Sequence, residues 1–234
     1  MARFVVAIDG GAGSGKSTTA KGVARRLSFF YIDTGAMYRA FTLKYLRSSQ
    51  SRDKKIDLEL IRQLLTNTSV DLRRENSEMK VYLDNEDVSL AIRTPEVSDF
   101  VSQVSAISEV REWMVARQRE VAEGKNVVCE GRDIGTIVFP DAQVKIFMVA
   151  DVGVRAARRL KELGEKNMDA DEHEVMENIK FRDKFDSERE HSPLRRAKDA
   201  IVVDTTDLTI EEEIEKVKAV VEKRLTTSAP GNSK

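Results

Sequence analysis

Nine residues near the start of the chain, Gly10-Gly11-Ala12-Gly13-Ser14-Gly15-Lys16-Ser17-Thr18, constrain it more than any other feature. They follow Phe4-Val5-Val6-Ala7-Ile8-Asp9, a short, apolar and β-branched run that reads as a buried parallel strand. They precede Thr19 to Leu27, whose composition suits a helix. Strand, glycine loop and helix form the setting in which G-x-x-x-x-G-K-[ST] becomes a phosphate cradle. The glycines let backbone N–H groups turn onto phosphate oxygens, the helix N-terminus adds its positive dipole end, and Lys16 adds a point charge. Ser17 offers a hydroxyl to Mg²⁺. The ligand this stretch implies is a nucleoside triphosphate.

Composition narrows the class. With 234 residues the chain can bury one good-sized core and carry an additional lobe. Its formal net charge of −1 provides no global field toward nucleic acid or a membrane surface. The single Cys129 excludes an internal disulfide, fits a reducing compartment, and lies in an apolar run where a buried, inert thiol is expected. No apolar stretch reaches the roughly 18 residues of a membrane span, and the first strand begins too early for a signal peptide. The expectation is a cytoplasmic monomer with no nucleic-acid or membrane partner, ending in a disordered polar tail over residues 227–234.

Four further runs resemble the first strand: Phe29 to Ile32, Asn126 to Cys129, Val144 to Val149 and Ala200 to Val203. Helix-like segments such as Val110 to Glu123 and Val154 to Leu163 separate most of them. This alternation argues an α/β fold with a parallel sheet covered on both faces, whose ligands bind beyond the carboxyl ends of the strands. Asp9-Gly10, Asp33-Thr34-Gly35, Glu130-Gly131-Arg132-Asp133, Asp151 and Asp204-Thr205-Thr206 fall on that rim. Ser69 to Val88 instead alternates apolar and polar residues around Glu75-Asn76-Ser77, as a half-exposed antiparallel hairpin does. Residues 38–100 therefore read as an inserted lobe, with a solvated link around Asp53-Lys54-Lys55. Gly164 to Glu172 reads as a mobile flap between two charged helices.

Arginine placement suggests what accepts a phosphoryl group. Arg39 and Arg132 each follow a predicted strand on the phosphate side. Arg182, Asp186 and Arg189 fall at i, i+4 and i+7 of a helix expected from about His173 to Glu190, hence on one face. Arg155 and Arg159 are four apart on the helix before it, with Arg158 adjacent. Guanidinium forks suit phosphate oxygens, although such charges more often decorate solvated helix faces. The only histidines, His173 and His191, stand in charged surroundings that suit a surface role. Transfer to a hydroxyl needs a proton acceptor, whereas a phosphate monoester is already anionic near neutral pH. An arginine-rich, histidine-poor chain with this loop thus points to a nucleotide acceptor.

Five segments carry a wider resemblance: Asp33-Thr34-Gly35-Ala36-Met37-Tyr38-Arg39, Ile92 to Val97, Ser102-Gln103-Val104-Ser105, Glu130 to Thr136 with Val138-Phe139-Pro140, and Arg182-Asp183 with Asp186 and Arg189. In order, from about residue 4 to 220, they closely resemble the bacterial-type cytidylate kinases. The resemblance implies ATP-dependent, Mg²⁺-assisted phosphorylation of CMP and dCMP. It also implies a nucleoside monophosphate kinase core (residues 1–37 and 101–226) with a five-stranded parallel sheet, a monophosphate-binding lobe (38–100) and a lid (about 153–172).

Carried onto matching positions, Thr34, Arg39, Arg132 and Arg189 hold the acceptor phosphate. Ser102, Arg111 and Asp133 read the cytosine edge, and Arg182 and Asp186 meet the ribose. Arg155 and Arg159 belong to the lid and close over the transferring group with Lys16. Thr34 stands where serine is common in this family, and Glu130 where aspartate is common. Other small-molecule kinases and P-loop switches remain as alternatives, although the chain lacks the Asn-Lys-x-Asp motif that reads guanine.

Overall fold

Strands and helices alternate along the first part of the chain and again along the last, around a block of a different kind. The computed structural model describes residues 4–49, 56–76, 78–165 and 170–228. The first half contains β1 (Phe4–Gly10), α1 (Lys16–Leu27), β2 (Phe30–Asp33), α2 (Thr34–Ser48), α3 (Leu58–Leu65), β3 (Val70–Glu75), β4 (Glu78–Leu83) and β5 (Glu86–Asp87). Then come α4 (Pro95–Ala106), α5 (Ser108–Val121), β6 (Asn126–Gly131), β7 (Val144–Val149), α6 (Val152–Gly164), α7 (Glu172–Glu188), β8 (Ile201–Asp204) and α8 (Ile210–Ser228).

Five strands form one parallel sheet in the order β2-β6-β1-β7-β8. Asp33 pairs with Glu130, Asp9 with Gly131, and Val149 with Asp204, so the carboxyl ends finish nearly level. The chain leaves β1 for the edge strand β2 and later fills the gap with β6. This opens a crevice beyond β1, where an open parallel sheet binds ligands. The strand residues alternate between two cores. Val5, Ala7, Ile32, Val127 and Cys129 face a core that includes Met37 and Phe41 of α2 and Met114 of α5. Phe4, Val6, Ile8, Val128, Ile146 and Met148 face the core that α1 and α8 complete with Val23, Ile214 and Val217. Covered faces explain why these strands read as continuous apolar runs.

The expected hairpin is present as β3 and β4, and the two-residue β5 extends it to a three-stranded antiparallel sheet. Its inward residues Val70, Leu72, Val81 and Leu83 join the same core as α2 and the parallel sheet. The lobe is thus fused to the sheet's helical layer, and residue 38 falls inside α2 rather than between two bodies.

The chain termini of two helices differ from the sequence reading. Helix α8 continues through Ser228, because the Thr226 and Thr227 hydroxyls bond back to the Lys223 and Arg224 carbonyls (2.8 and 2.9 Å) and satisfy its last turn. Thr227 and Ser228 therefore belong to the helix, and residues 229–234 of the expected tail lie outside the described residues. Helix α7 stops at Glu188, four residues before Ser192, whose backbone leads into Pro193. Arg189 is its extended C-cap, with Nε donating to the Ser192 carbonyl at 2.7 Å, and not a third residue on the helix face. The link at Asp53-Lys54-Lys55 and residues 166–169 of the flap lie outside the described residues.

Candidate active site

The glycine loop joins β1 to α1 as its sequence requires. Gly13 and Gly15 have φ of 72° and 88°, the left-handed region that glycine enters without strain. At Gly15 a Cβ would also lie 2.6 Å from Oε2 of Glu213. That buried carboxylate supports the loop from behind: it accepts from the Thr19 hydroxyl at 2.7 Å and pairs with Arg158 at 3.0 Å. Arg158 donates in turn to the Thr205 carbonyl at 2.7 Å, and the Thr205 hydroxyl donates to the Ser14 carbonyl at 3.2 Å.

Lys16 is buried, and Nζ donates to the Gly11 carbonyl at 2.6 Å. Burial, followed by the Arg132 charge, pushes its pKa down to about 7, against the pull of Glu130 and Asp9. Asp9 at the end of β1 is pushed up to about 6 by burial, although it accepts N–H groups from Gly135 and Ile134 at 2.8 Å each. Those two bonds fix the single π-type turn Ile134–Val138 directly after Arg132 and Asp133. One carboxylate therefore ties the phosphate loop's strand to the loop bearing two predicted acceptor-binding residues.

Several predicted cations converge beyond β2 and β6. Arg132 donates through Nε to Asp186 of α7 at 2.7 Å, and Arg189 lies 3.9 Å from both Asp186 and Asp133. Burial and the neighbouring charge of Arg132, then Arg39 and Arg159, push Arg182 down to about 10, and its Nε is buried without a hydrogen-bond partner. Burial and Arg111 likewise lower Arg189. Arg39 lies 3.6 Å from Asp33. The Thr34 hydroxyl donates to the Glu130 carbonyl at 2.7 Å, joining β2 to β6. Arg132, Arg182 and Arg189 thus crowd around one carboxylate, Asp186, an arrangement suited to accepting a further anion.

Behind this cluster, Arg111 of α5 pairs with Asp133, both side chains almost fully buried. Arg111 also donates to the Ser105 carbonyl at 3.0 Å and lies 5.4 Å from the centroid of the Tyr38 ring. Ser102 is half-buried one turn earlier on α4. The Tyr38 hydroxyl is buried without a partner. Charge pairing thus brings together Arg111, Asp133 and Arg189 from three separate elements.

Helix α6 follows β7 on the other side of the crevice. Arg155 donates to the Ala12 carbonyl at 3.1 Å and to Asp183 at 2.5 Å, which places it against the phosphate loop. Arg159 pairs with Glu162 on its own helix at 2.7 Å and is more exposed. His173 and His191 are exposed, and Cys129 is fully buried with its thiol pKa pushed well up by burial.

Ser17 lies beside Glu130, whose carboxylate accepts the Tyr31 hydroxyl at 2.6 Å. Among the described residues no three His, Cys, Asp or Glu side chains form a metal cage. A hydroxyl and one carboxylate fit a divalent cation that draws its remaining ligands from phosphate oxygens and water.

Comparison with known proteins decides the family. A family model described as cytidylate kinase matches residues 6–223. The chain belongs to the cytidylate kinase family. A cytidylate kinase from Caldanaerobacter subterraneus is 52% identical over 218 residues, covering 93% of this chain and 94% of its own. One from Bacillus cereus is 49% identical over 222 residues, covering 94% and 96%, and one from Lactobacillus gasseri is 47% identical over 222 residues, covering 94% of each. The match spans the glycine loop, the arginine cluster and the lobe between them. It leaves individual side-chain roles to be argued from their geometry. Asp9, Tyr31, Arg158, Asp183 and Glu213 were not predicted as site residues. Sequence signals existed for three of them: Asp9 ends β1 immediately before the glycine loop, Arg158 adjoins Arg159, and Asp183 follows Arg182 in a segment that carries the resemblance.

Proposed function

We propose that this protein transfers the γ-phosphoryl group of ATP to CMP or dCMP, giving ADP and CDP or dCDP. The observation that carries this reading is the pairing of two features across one crevice. A phosphate loop stands on one side; on the other, an arginine cluster adjoins a buried carboxylate–guanidinium pair. Cytosine presents an exocyclic amine beside a ring-nitrogen acceptor, and Asp133 with Arg111 offers the complementary acceptor and donor. Uracil reverses that pattern and leaves buried polar groups unmatched. Ser102 extends the same edge from α4.

The acceptor phosphate falls to Thr34, Arg39, Arg132 and Arg189, and the ribose to Asp186 and Arg182. The charges of Arg132, Arg39 and Arg159 around Arg182 support a share for it in meeting phosphate oxygens. The monoester's second pKa is about 6, so it attacks as an anion without a general base. The chemical obstacle is repulsion between two polyanions, and positive charge fixed in advance removes it. Backbone N–H groups from Gly10 to Thr18 hold the donor, and Lys16 meets the charge on the moving phosphoryl group. Arg155 and Arg159 approach from α6, and closure of that helix over the loop excludes water and protects ATP from hydrolysis. Ser17 and Glu130 would hold Mg²⁺, which when bound neutralises β- and γ-phosphate oxygens.

An ADP-coupled assay with ATP, Mg²⁺ and each of CMP, dCMP, UMP, AMP and GMP tests the assignment. CMP or dCMP should give the highest kcat/KM. Faster turnover of AMP or UMP, or none with either cytidine nucleotide, contradicts it.

A further inference from the structure

Asp183 belongs to neither set of proposed substrate contacts, yet it touches the phosphate loop. It lies on α7, immediately after Arg182 and three residues before Asp186. Its Oδ1 accepts the Ala12 N–H at 3.3 Å, and its Oδ2 accepts from Arg155 at 2.5 Å. The approach is close enough that a Cβ at Gly11 would lie 2.8 Å from Oδ1. The Asp183 side chain retains 28% exposure, so solvent reaches one side of it. A side-chain anion therefore bridges three elements: the donor loop, the arginine-bearing α6, and the helix carrying two proposed acceptor contacts.

We propose that Asp183 couples the two nucleotide sites by competing with the donor's phosphate. The Ala12 N–H and the Arg155 guanidinium are groups that a phosphate oxygen seeks, and a carboxylate is an anion of the same kind. One anion can hold both at a time, and two anions in contact repel. A triphosphate entering the loop must turn Asp183 aside. Asp183 shares one helical turn with Arg182 and Asp186, so an acceptor that engages those residues draws the turn toward itself and takes the carboxylate with it. Acceptor binding then lowers the cost of donor binding, and by linkage the donor strengthens the acceptor by the same factor. The arrangement disfavours ATP in the loop until an acceptor is present, the condition under which hydrolysis would be wasteful. A purely structural role, in which Asp183 only anchors Arg155, has the opposite signature, because its removal would loosen the donor site.

The inference rests on a cytidine monophosphate being the acceptor. Calorimetric titration of β,γ-imido-ATP with Mg²⁺, with and without saturating CMP, separates the two claims on the full-length protein. With the parent protein, CMP should tighten the ATP analogue. In Asp183→Asn and in Asp183→Ala, the analogue alone should bind about 5-fold more tightly, within the usual range of allosteric coupling, and the CMP effect should shrink toward none. ATP hydrolysis without acceptor should rise in both variants. An unchanged or weaker analogue affinity with the CMP effect intact overturns the proposal for Asp183 alone. A parent protein whose analogue affinity ignores CMP but responds to another monophosphate overturns the substrate reading, and the inference with it. Agreement between the two variants excludes an effect of the asparagine amide.

Discussion

Arg111 of α5 and Asp133, two residues beyond β6, form an ion pair whose side chains are 4% and 6% exposed. Two charges are removed from water this completely only when each satisfies the other. The pair presents one acceptor and one donor side by side. If it reads cytosine, Asp133→Asn should reduce the preference for CMP over UMP by about 10- to 100-fold, the equivalent of about 1–3 kcal/mol. The same change weakens the partner of a buried guanidinium, so the thermal midpoint should fall. Comparing kcat/KM for the two nucleotides below that midpoint is the check, and an unchanged ratio removes Asp133 from base recognition.

Arg182 is a buried cation crowded by other cations. Its burial beside Arg132 lowers its pKa to about 10, and its Nε lacks a partner. Arg182→Met keeps an apolar stem and removes the repelling charge. It should raise the thermal midpoint by a few degrees while weakening CMP by about tenfold or more, a stability–function trade-off of the usual kind. A lower midpoint with unaltered CMP affinity would show that Arg182 serves packing.

Lys16 gives a pH signature. Its pKa falls from 10.5 to about 7 on folding, so between these values the unfolded chain binds more protons and stability rises with pH. Below about pH 7 the buried charge is retained and its desolvation cost is felt in full. Lys16→Met removes that cost and also the bond to the Gly11 carbonyl, a loss that does not vary with pH. The midpoint of the variant relative to its parent should therefore be highest near pH 6.5 and decline steadily toward pH 10, in melts without nucleotide. A difference that stays constant with pH contradicts a depressed Lys16. Turnover in the variant should drop by about 10²–10³-fold if Lys16 stabilises the moving phosphoryl group.

Gly22 on α1 permits the contact with α8: a Cβ there would lie 2.4 Å from Cδ1 of Ile214. Gly22→Ala gains helix propensity but overpacks the interface, with a net loss expected at about 1–2 kcal/mol. Ile214→Val in the same chain removes the clashing methyl and should recover most of that loss. Simple additivity of the two changes in denaturant melts would show that Ile214 is not the obstacle.

Local chemistry made the strands, the glycine loop and the strand-end arginines legible in sequence, since each depends on neighbouring residues. What escaped depends on residues far apart in the chain. Asp9 reaches the Ile134 and Gly135 amides, and Glu213 reaches Thr19, across more than a hundred residues each. No periodicity records such partners. The i, i+4 and i+7 spacing puts Arg189 on a helix face only if the helix continues, and it ends at Glu188. Pro193 was the available sign that it ends. The lobe's hairpin was readable from alternation, but its fusion with the core through Val70 and Leu83 was not, because an apolar residue does not announce which surface it will meet.

The central claim is that the loop and the arginine cluster are the two halves of one transfer site. Following ³²P from γ-labelled ATP tests it most directly, with the protein, Mg²⁺ and CMP together and with CMP omitted. The label should appear in CDP in proportion to ADP formed, with little inorganic phosphate released in either mixture. Label recovered chiefly as inorganic phosphate, at a rate indifferent to CMP, would contradict it.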